Sequence, residues 1–411
     1  MNRTILQICV EGNTGSTGTT AEAIGKIVIA QGWKSYIAYG RFKRPSESKT
    51  IKIGNTLSIF IHGLQTRFFD RHGMGSKCAT KKLVQQIKEI KPDIIHLHHL
   101  HGYYINIEVL FEFLAKAEIP VIWTFHDCWS ITGHCSHFDF VSCEKWKTEC
   151  NHCPQIKEYP ASLFADRSRK NFYLKKKLFN SVENLTVVPV SNWLNKVIEK
   201  SFMGKLPRKV IYNGINIDLF SPLSQKNTVR ERFNIRQKFM ILGLATTWSS
   251  RKGLQDFIEL SKHIDANKII VLVGLNSSQI KTLPQNIIGL QRTESQQELR
   301  DLYIASDVFM NLSVEETFGL TTAEALACGT PAIVYNATAS PELVDENTGI
   351  VVEKQNIQSL LSAIEEIKSN GKSFYSNACR SRAIKLFDKD VRFNEYFDLY
   401  NEKLNNVNNV K

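Results

Sequence analysis

Short apolar runs alternate with helix-periodic stretches along this chain, and the alternation occurs twice, on either side of a proline- and asparagine-marked break. In the first half, Thr4 to Val10 reads as a strand. A glycine-rich turn (Gly12, Gly15, Gly18) follows, then a helix carrying Ile24, Ile27 and Val28 on one face. Trp33 to Tyr39 is again strand-like. Leu83, Val84, Ile87 and Ile90 recur at helical spacing until Pro92 stops them, and the strand Asp93 to Leu97 comes next. The helix face Val109, Leu110, Phe113 and Leu114 leads to the strand Val121 to Phe125. The second half gives strands at Phe239 to Ala245, Lys268 to Gly274, Asp307 to Leu312 and Ala332 to Tyr335. Helices marked by Leu254, Phe257 and Ile258, and by Leu299 and Tyr303, lie between them. Continuous apolar strands alternating with helices imply parallel sheets covered on both faces. The expected architecture is α/β, with two doubly wound domains facing a cleft.

The boundaries expected from this pattern are residues 1–206 for the first domain, 207–225 for a linker and 226–388 for the second domain. A terminal helix over 389–411, with Phe393, Phe397, Tyr400 and Leu404 at helical spacing, seeks a packing surface, and the asparagine-rich end is expected to fray. The 411 residues suit two cores, and 43% hydrophobic with 22% charged residues is globular composition. No apolar run is long enough for a membrane span, and the amino end lacks a signal-peptide pattern, so a cytoplasmic protein is expected. The net charge of +12 suits nucleotide phosphates or an anionic membrane surface, or is simply a solvated basic exterior. Basic residues are densest at Lys175, Lys176 and Lys177. No nucleic-acid motif accompanies them, and a nucleic-acid partner is not expected.

Ligands of doubly wound sheets sit beyond the carboxyl ends of strands. After the strand ending at Leu312 comes Ser313-Val314-Glu315-Glu316-Thr317-Phe318-Gly319-Leu320, then a helix over Thr321 to Cys328. Glu324 falls on the helix face shared with Ala323 and Ala327, where a carboxylate is costly unless it meets a buried cation or binds something. Gly319 permits close backbone approach, and the amides of Phe318, Gly319, Leu320 and Thr321 can hold an anion. A glutamate for hydroxyls beside a helix end for phosphate suits a sugar nucleotide. After the strand ending near Ala245, Arg251-Lys252-Gly253 opens another helix and offers two cations to a diphosphate.

Glu316 and Glu324, with Phe318-Gly319 between them, resemble the paired-glutamate signature of family 4 retaining glycosyltransferases. Glu324-Ala325-Leu326-Ala327-Cys328-Gly329-Thr330-Pro331 and Pro341-Glu342-Leu343-Val344 extend the match. The resemblance implies the GT-B fold, with Rossmann-like domains, an amino-terminal acceptor domain and a carboxyl-terminal donor domain, and a final helix that returns to the first. It implies that Glu316 meets donor-sugar hydroxyls, that Glu324 holds the ribose, and that Arg251 and Lys252 bind the diphosphate. Thr246 and Thr247 depart from it, because several members carry a further arginine there. By the same resemblance, the turn Gly15-Ser16-Thr17-Gly18 reaches toward the donor phosphates and His126 lies beside the donor sugar.

His96, His98, His99 and His101 surround another strand end. Strand alternation sends them to opposite faces, and polar lining of an acceptor cleft is preferred to a metal site. Cys135, Cys143, Cys150 and Cys153 lie in a polar, helix-poor insertion at about residues 128–154, and a loop this polar is not expected to build an apolar core of its own. A structural zinc on these four thiols and four unlinked thiols are equal alternatives. The run from His126-Asp127-Cys128-Trp129 to Cys153-Pro154, with Ser191-Asn192-Trp193-Leu194 and Tyr212-Asn213-Gly214-Ile215, resembles enzymes of bacterial exopolysaccharide, colanic acid and O-antigen assembly. What this implies is retaining, metal-independent transfer of a hexose from a UDP- or GDP-sugar to a glycan acceptor on a lipid, at the inner face of the plasma membrane, with no catalytic cofactor. A nucleotide-sugar epimerase of the same fold and a non-catalytic sugar-binding protein are the alternatives.

Overall fold

The computed structural model describes residues 3–222, 227–235 and 237–410. Residues 223–226, at the junction of the expected linker and second domain, lie outside the described residues. The chain forms two compact units, one of Met1–Ile211 with Phe393–Lys411 and one of Tyr212–Arg392.

The first unit holds a six-stranded sheet of β1 (Thr4–Cys9), β2 (Lys34–Tyr39), β3 (Lys49–Lys52), β4 (Ile94–Leu97), β5 (Val121–Phe125) and β6 (Leu185–Pro189). Its order is β3-β2-β1-β4-β5-β6 and every pairing is parallel. The second unit repeats the plan with β7 (Phe239–Leu244), β8 (Lys268–Val273), β9 (Ile287–Leu290), β10 (Val308–Asn311), β11 (Ala332–Tyr335) and β12 (Gly349–Val352), in the order β12-β11-β10-β7-β8-β9 and again all parallel. Central strands such as β1, β5 and β8 are buried along their whole length, which is why they read as largely apolar runs, with Gln7 of β1 and Lys268 of β8 among the buried exceptions. The strand order reverses between β1 and β4 in one sheet and between β7 and β10 in the other. Loops leaving those strand ends therefore border a crevice in each unit.

The terminal helix Lys389–Val410 enters the first unit. Phe393, Tyr396, Leu399 and Tyr400 are buried in one core with Ile5, Ile24, Val28, Ile94 and Ile122. Polar bonds fix its rotation. The Tyr400 hydroxyl lies 2.7 Å from Nδ1 of His96, whose Nε2 is 2.8 Å from Oγ1 of Thr124, and Thr124 donates to the Tyr396 hydroxyl at 3.1 Å. The backbone is helical to Val410, through the asparagine-rich stretch.

The insertion after β5 contains three short 3-10 turns, Trp129–Ile131, Asp139–Val141 and Lys145–Lys147. It builds a core after all, because Trp129, Phe138 and Trp146 are buried and the Phe138 and Trp146 rings meet at 4.8 Å. Lys175 is no surface charge either. Its ammonium lies 3.5 Å from the centre of the Trp129 ring and donates to the carbonyls of Trp129 (2.7 Å) and Thr132 (3.1 Å). Burial lowers its pKa to about 7.

Tyr400→Ala should destabilise the first unit by about 3–5 kcal/mol, since it removes a buried aromatic and leaves His96 Nδ1 without its partner. Phe374→Ala, at a 66% exposed position of the second unit, should stay within about 0.5 kcal/mol. Urea denaturation of the two variants checks both values.

Candidate active site

In the second unit the loops leaving β7 and β10 are stitched together. After β7 the chain forms a turn, Ser250–Lys252, and then the helix Leu254–Ser261. Gly253 separates them with φ +77°, and a Cβ there would lie 2.3 Å from the carbonyl oxygen of Leu312, so only glycine lets the turn close on the end of β10. The Arg251 carbonyl accepts the N–H of Val314 (2.9 Å), and Arg251 Nη1 donates to the Glu315 carbonyl (2.7 Å). Lys252 Nζ forms an ion pair with Glu316 Oε1, with both side chains mostly buried. Burial by itself would raise the Glu316 pKa. Lys252 and then Arg251 outweigh it and hold this carboxyl below its ordinary range. A third strand end adds support, because Glu316 N–H donates to Thr338 Oγ1 (2.8 Å) in the loop after β11 and its carbonyl accepts the N–H of Ala339 (3.2 Å).

Gly319 has φ +107°, and a Cβ on it would sit 2.7 Å from Leu343 Cδ1. The helix Leu320–Ala327 starts there with no side-chain cap. The Phe318 ring is buried against Tyr212 and Phe387, while Leu320 is half-buried. Glu324 meets a phenol and not a cation: the Tyr303 hydroxyl donates to its Oε2 at 3.0 Å. Burial raises the Glu324 carboxyl to about 7, against the smaller opposing effect of Tyr303. The structural alternative of a buried Arg or Lys partner for Glu324 is thereby excluded among the described residues.

In the first unit, Gly15 (φ +62°) opens the helix Gly15–Ala30, whose amino end also lacks a side-chain cap. Gly18 packs so tightly on the turn that a Cβ would lie 2.9 Å from the Glu11 carbonyl oxygen. His126 follows β5, with its Nε2 3.3 Å from His98 Nδ1, and burial pushes its pKa well down, so the imidazole is neutral. The expectation that the histidines diverge holds only up to the strand end. Beyond Leu97 the chain leaves the strand, and His99 and His101 converge on Asp127. Their Nε2 atoms lie 3.3 and 2.7 Å from its Oδ2, while Oδ1 accepts the Trp129 N–H at 3.0 Å. Tyr159 completes the group through a 3.0 Å contact with His101 Nδ1. Asp127 and Tyr159 escaped assignment from sequence, since a carboxylate at a strand end and a tyrosine in a loop carry no pattern.

Cys135, Cys143, Cys150 and Cys153 are all free thiols around one small cavity that His134, Phe138 and Trp146 also line. Cys135 is hydrogen-bonded to Cys153, which raises the Cys135 pKa and lowers that of Cys153 to about 7. A tetrahedral zinc with bonds of about 2.3 Å needs sulfurs just under about 4 Å apart. Among the described residues, His99, His101 and Asp127 form the one set of three or more ligand atoms within 4.8 Å of one another. The four sulfurs are therefore not drawn together as a zinc site requires.

Residues 18–219 match the family described as Glycosyltransferase Family 4, and residues 225–385 match Glycosyl transferases group 1. The chain belongs to the family 4 glycosyltransferases. WcaC of Escherichia coli K12, whose name assigns it provisionally to colanic acid biosynthesis as a glycosyl transferase, is 23% identical over 87% of this chain and 89% of its own. The alpha-monoglucosyldiacylglycerol synthase of Acholeplasma laidlawii is 26% identical over 75% of this chain and 79% of its own. The fold is that of GT-B glycosyltransferases. Anabaena HepE, solved in complex with UDP, superposes with a TM-score of 0.68 at 17% identity, covering 98% of this chain and 100% of that one.

For this glycosyltransferase the Glu324 carboxyl makes a pH prediction. Its folded pKa is raised, so the stability it contributes is present below the ordinary carboxyl range of about 4.3 and is lost as pH rises to about 7. Glu324→Gln should therefore stabilise the unliganded protein more at pH 8 than at pH 5, by a difference of about 1–3 kcal/mol. Equal effects at the two pH values in chemical denaturation would show an unperturbed carboxyl.

Proposed function

We propose that this enzyme transfers a hexose from a UDP- or GDP-sugar to a glycan acceptor carried on a lipid, with retention of anomeric configuration. The reaction would serve bacterial surface polysaccharide assembly at the cytoplasmic face of the membrane. The observation that carries the reading is the Lys252 and Glu316 pair at the strand-order reversal, beside the uncapped helix that begins at Leu320. A cation and an amide-bearing helix end suit a diphosphate, and a carboxylate held ionised suits sugar hydroxyls. Glu324, one helical turn further on, gains a hydrogen-bond donor for its costly carboxyl when a ribose hydroxyl reaches it. The relatives support the substrate class, since one is named for colanic acid biosynthesis, one for a glucosyl diacylglycerol product, and HepE was solved with UDP.

In this reading the second unit is the donor domain and the first the acceptor domain. The bond from the sugar C1 to the diphosphate oxygen breaks with its electron pair passing to that oxygen. Arg251, Lys252 and the helix amides stabilise the developing charge and do the work that a divalent ion does elsewhere. The acceptor hydroxyl bonds to C1 on the same face, and its proton passes to the departing phosphate oxygen, so no enzyme nucleophile is needed. His126, a neutral imidazole, and the turn at Gly15 and Gly18 are assigned to the donor sugar and phosphates.

Incubation with labelled nucleotide sugars and a lipid-linked acceptor extract, in the presence of a chelator, tests this. Label transferred to lipid supports it, isomerised donor indicates an epimerase, and binding without turnover indicates a sugar-binding module. Lys252→Ala should lower kcat/KM about 10²–10³-fold, and Glu324→Ala should raise the donor KM about tenfold, the loss of one well-made hydrogen bond to a charged group. Unchanged donor kinetics in the Glu324 variant would remove the ribose assignment.

A further inference from the structure

The helix Thr56–Phe69 is folded inside out. Its buried positions are the polar His62 and Thr66, whereas Leu57 (63%), Phe60 (61%), Ile61 (45%), Leu64 (39%) and Phe68 (39%) are exposed. Their spacing places these five on one helical face. The polar side is locked to the unit. His62 Nε2 accepts the N–H groups of Gly73 and Gly75 at 3.2 Å each, and His62 Nδ1 is 3.0 Å from Ser76 Oγ. Gly75 lies so close that a Cβ would come within 2.4 Å of the His62 ring. The helix cannot roll to hide its apolar face without breaking these bonds. Phe164, 79% exposed, extends the patch by stacking on Phe68 at 5.8 Å with ring planes 7° apart.

Charge identifies what covers this face. Residues 41–91, which include the helix and its flanks, hold 12 basic against 3 acidic side chains. One of those acids, Asp70, is buried against His134. Arg67 on the helix and Arg71 just beyond it are exposed. A second copy of the chain would bring the same exposed cations, Arg67 and Arg71, to this face. A bilayer with anionic headgroups offers hydrocarbon to the apolar face and phosphates to its flanks. Among the described residues no helix is long and apolar enough to cross a membrane, so this one lies on the surface.

We propose that the outer face of Thr56–Phe69, with Phe164, docks the first unit onto an anionic bilayer. The apolar side chains enter the boundary between headgroups and acyl chains, with Arg67 and Arg71 at the lipid phosphates. The inference deepens the reading of a lipid-linked acceptor by supplying the surface at which such an acceptor is met.

The test is flotation of the full-length chain with phosphatidylglycerol/phosphatidylethanolamine vesicles, with phosphatidylcholine vesicles as the comparison. Wild type should bind the anionic vesicles at least about tenfold better, and binding should weaken as salt rises. Phe60→Ser/Leu64→Ser should reduce binding at least about tenfold while its thermal midpoint stays within about 2 °C, because both positions lie outside the core. Unchanged flotation of the variant overturns the proposal. So does a wild-type dimer in gel filtration that the variant converts to monomer, since the face would then pair copies of the chain. Flotation lost in the variant, with no glycosyl transfer by wild type, would leave docking standing and remove the catalytic reading. Transfer without flotation would do the reverse.

Discussion

Lys252 and Glu316 join the ends of two neighbouring strands, and the loops of the second unit's crevice are arranged around that ion pair. Two charges this buried contribute little net stability, because desolvation cancels most of their attraction, but removing either leaves the other stranded. The pair is better understood as a device that keeps both groups ionised and aimed. Its supports come from two loops: after β7, Gly253 lets the turn close on Leu312 and Arg251 binds the backbone after β10, and after β11, Thr338 holds the Glu316 peptide. In the proposed reading, a diphosphate arriving at Lys252 would relieve the carboxylate of its partner and free it for a neutral donor such as a sugar hydroxyl, coupling phosphate and sugar recognition through one contact.

Glu324 follows the opposite logic. It has no cation, one phenolic hydrogen bond and a pKa raised by burial. A buried carboxyl in that state is destabilising, and under the proposed reading ligand hydroxyls would offset the cost. The contrast between Glu316, held ionised, and Glu324, held near neutrality, gives the two glutamates separate chemical characters eight positions apart in the chain.

The buried central strands were readable because they are largely apolar, and Glu324 was readable because it interrupts an apolar helix face. The edge strands were not. Lys49–Lys52 is short and mostly polar, and Ile287–Leu290 and Gly349–Val352 are brief runs without periodicity. The convergence of His99 and His101 on Asp127 depends on where β4 ends, and strand alternation misplaces both residues if the strand is drawn longer. Lys175 looked like part of a solvated basic run because sequence gives no sign of the Trp129 ring beneath it. The helix Thr56–Phe69 escaped notice for a related reason: an apolar stripe normally points inward, and only the bonds of His62 reveal that this one does not. Side chains whose environment is made by distant segments were the ones that sequence left unread.

The central claim is that Lys252 and Glu316 divide the donor between phosphate and sugar, and calorimetric titration of Glu316→Gln tests it most directly. UDP, GDP and their hexose conjugates would be titrated into wild type and variant. Losing the carboxylate that competes for Lys252 should leave binding of the free nucleoside diphosphate unchanged or tighter, while binding of the sugar nucleotide weakens about tenfold or more. If both ligands weaken together, or if the sugar nucleotide binds as before, Glu316 does not read the sugar and the account is contradicted.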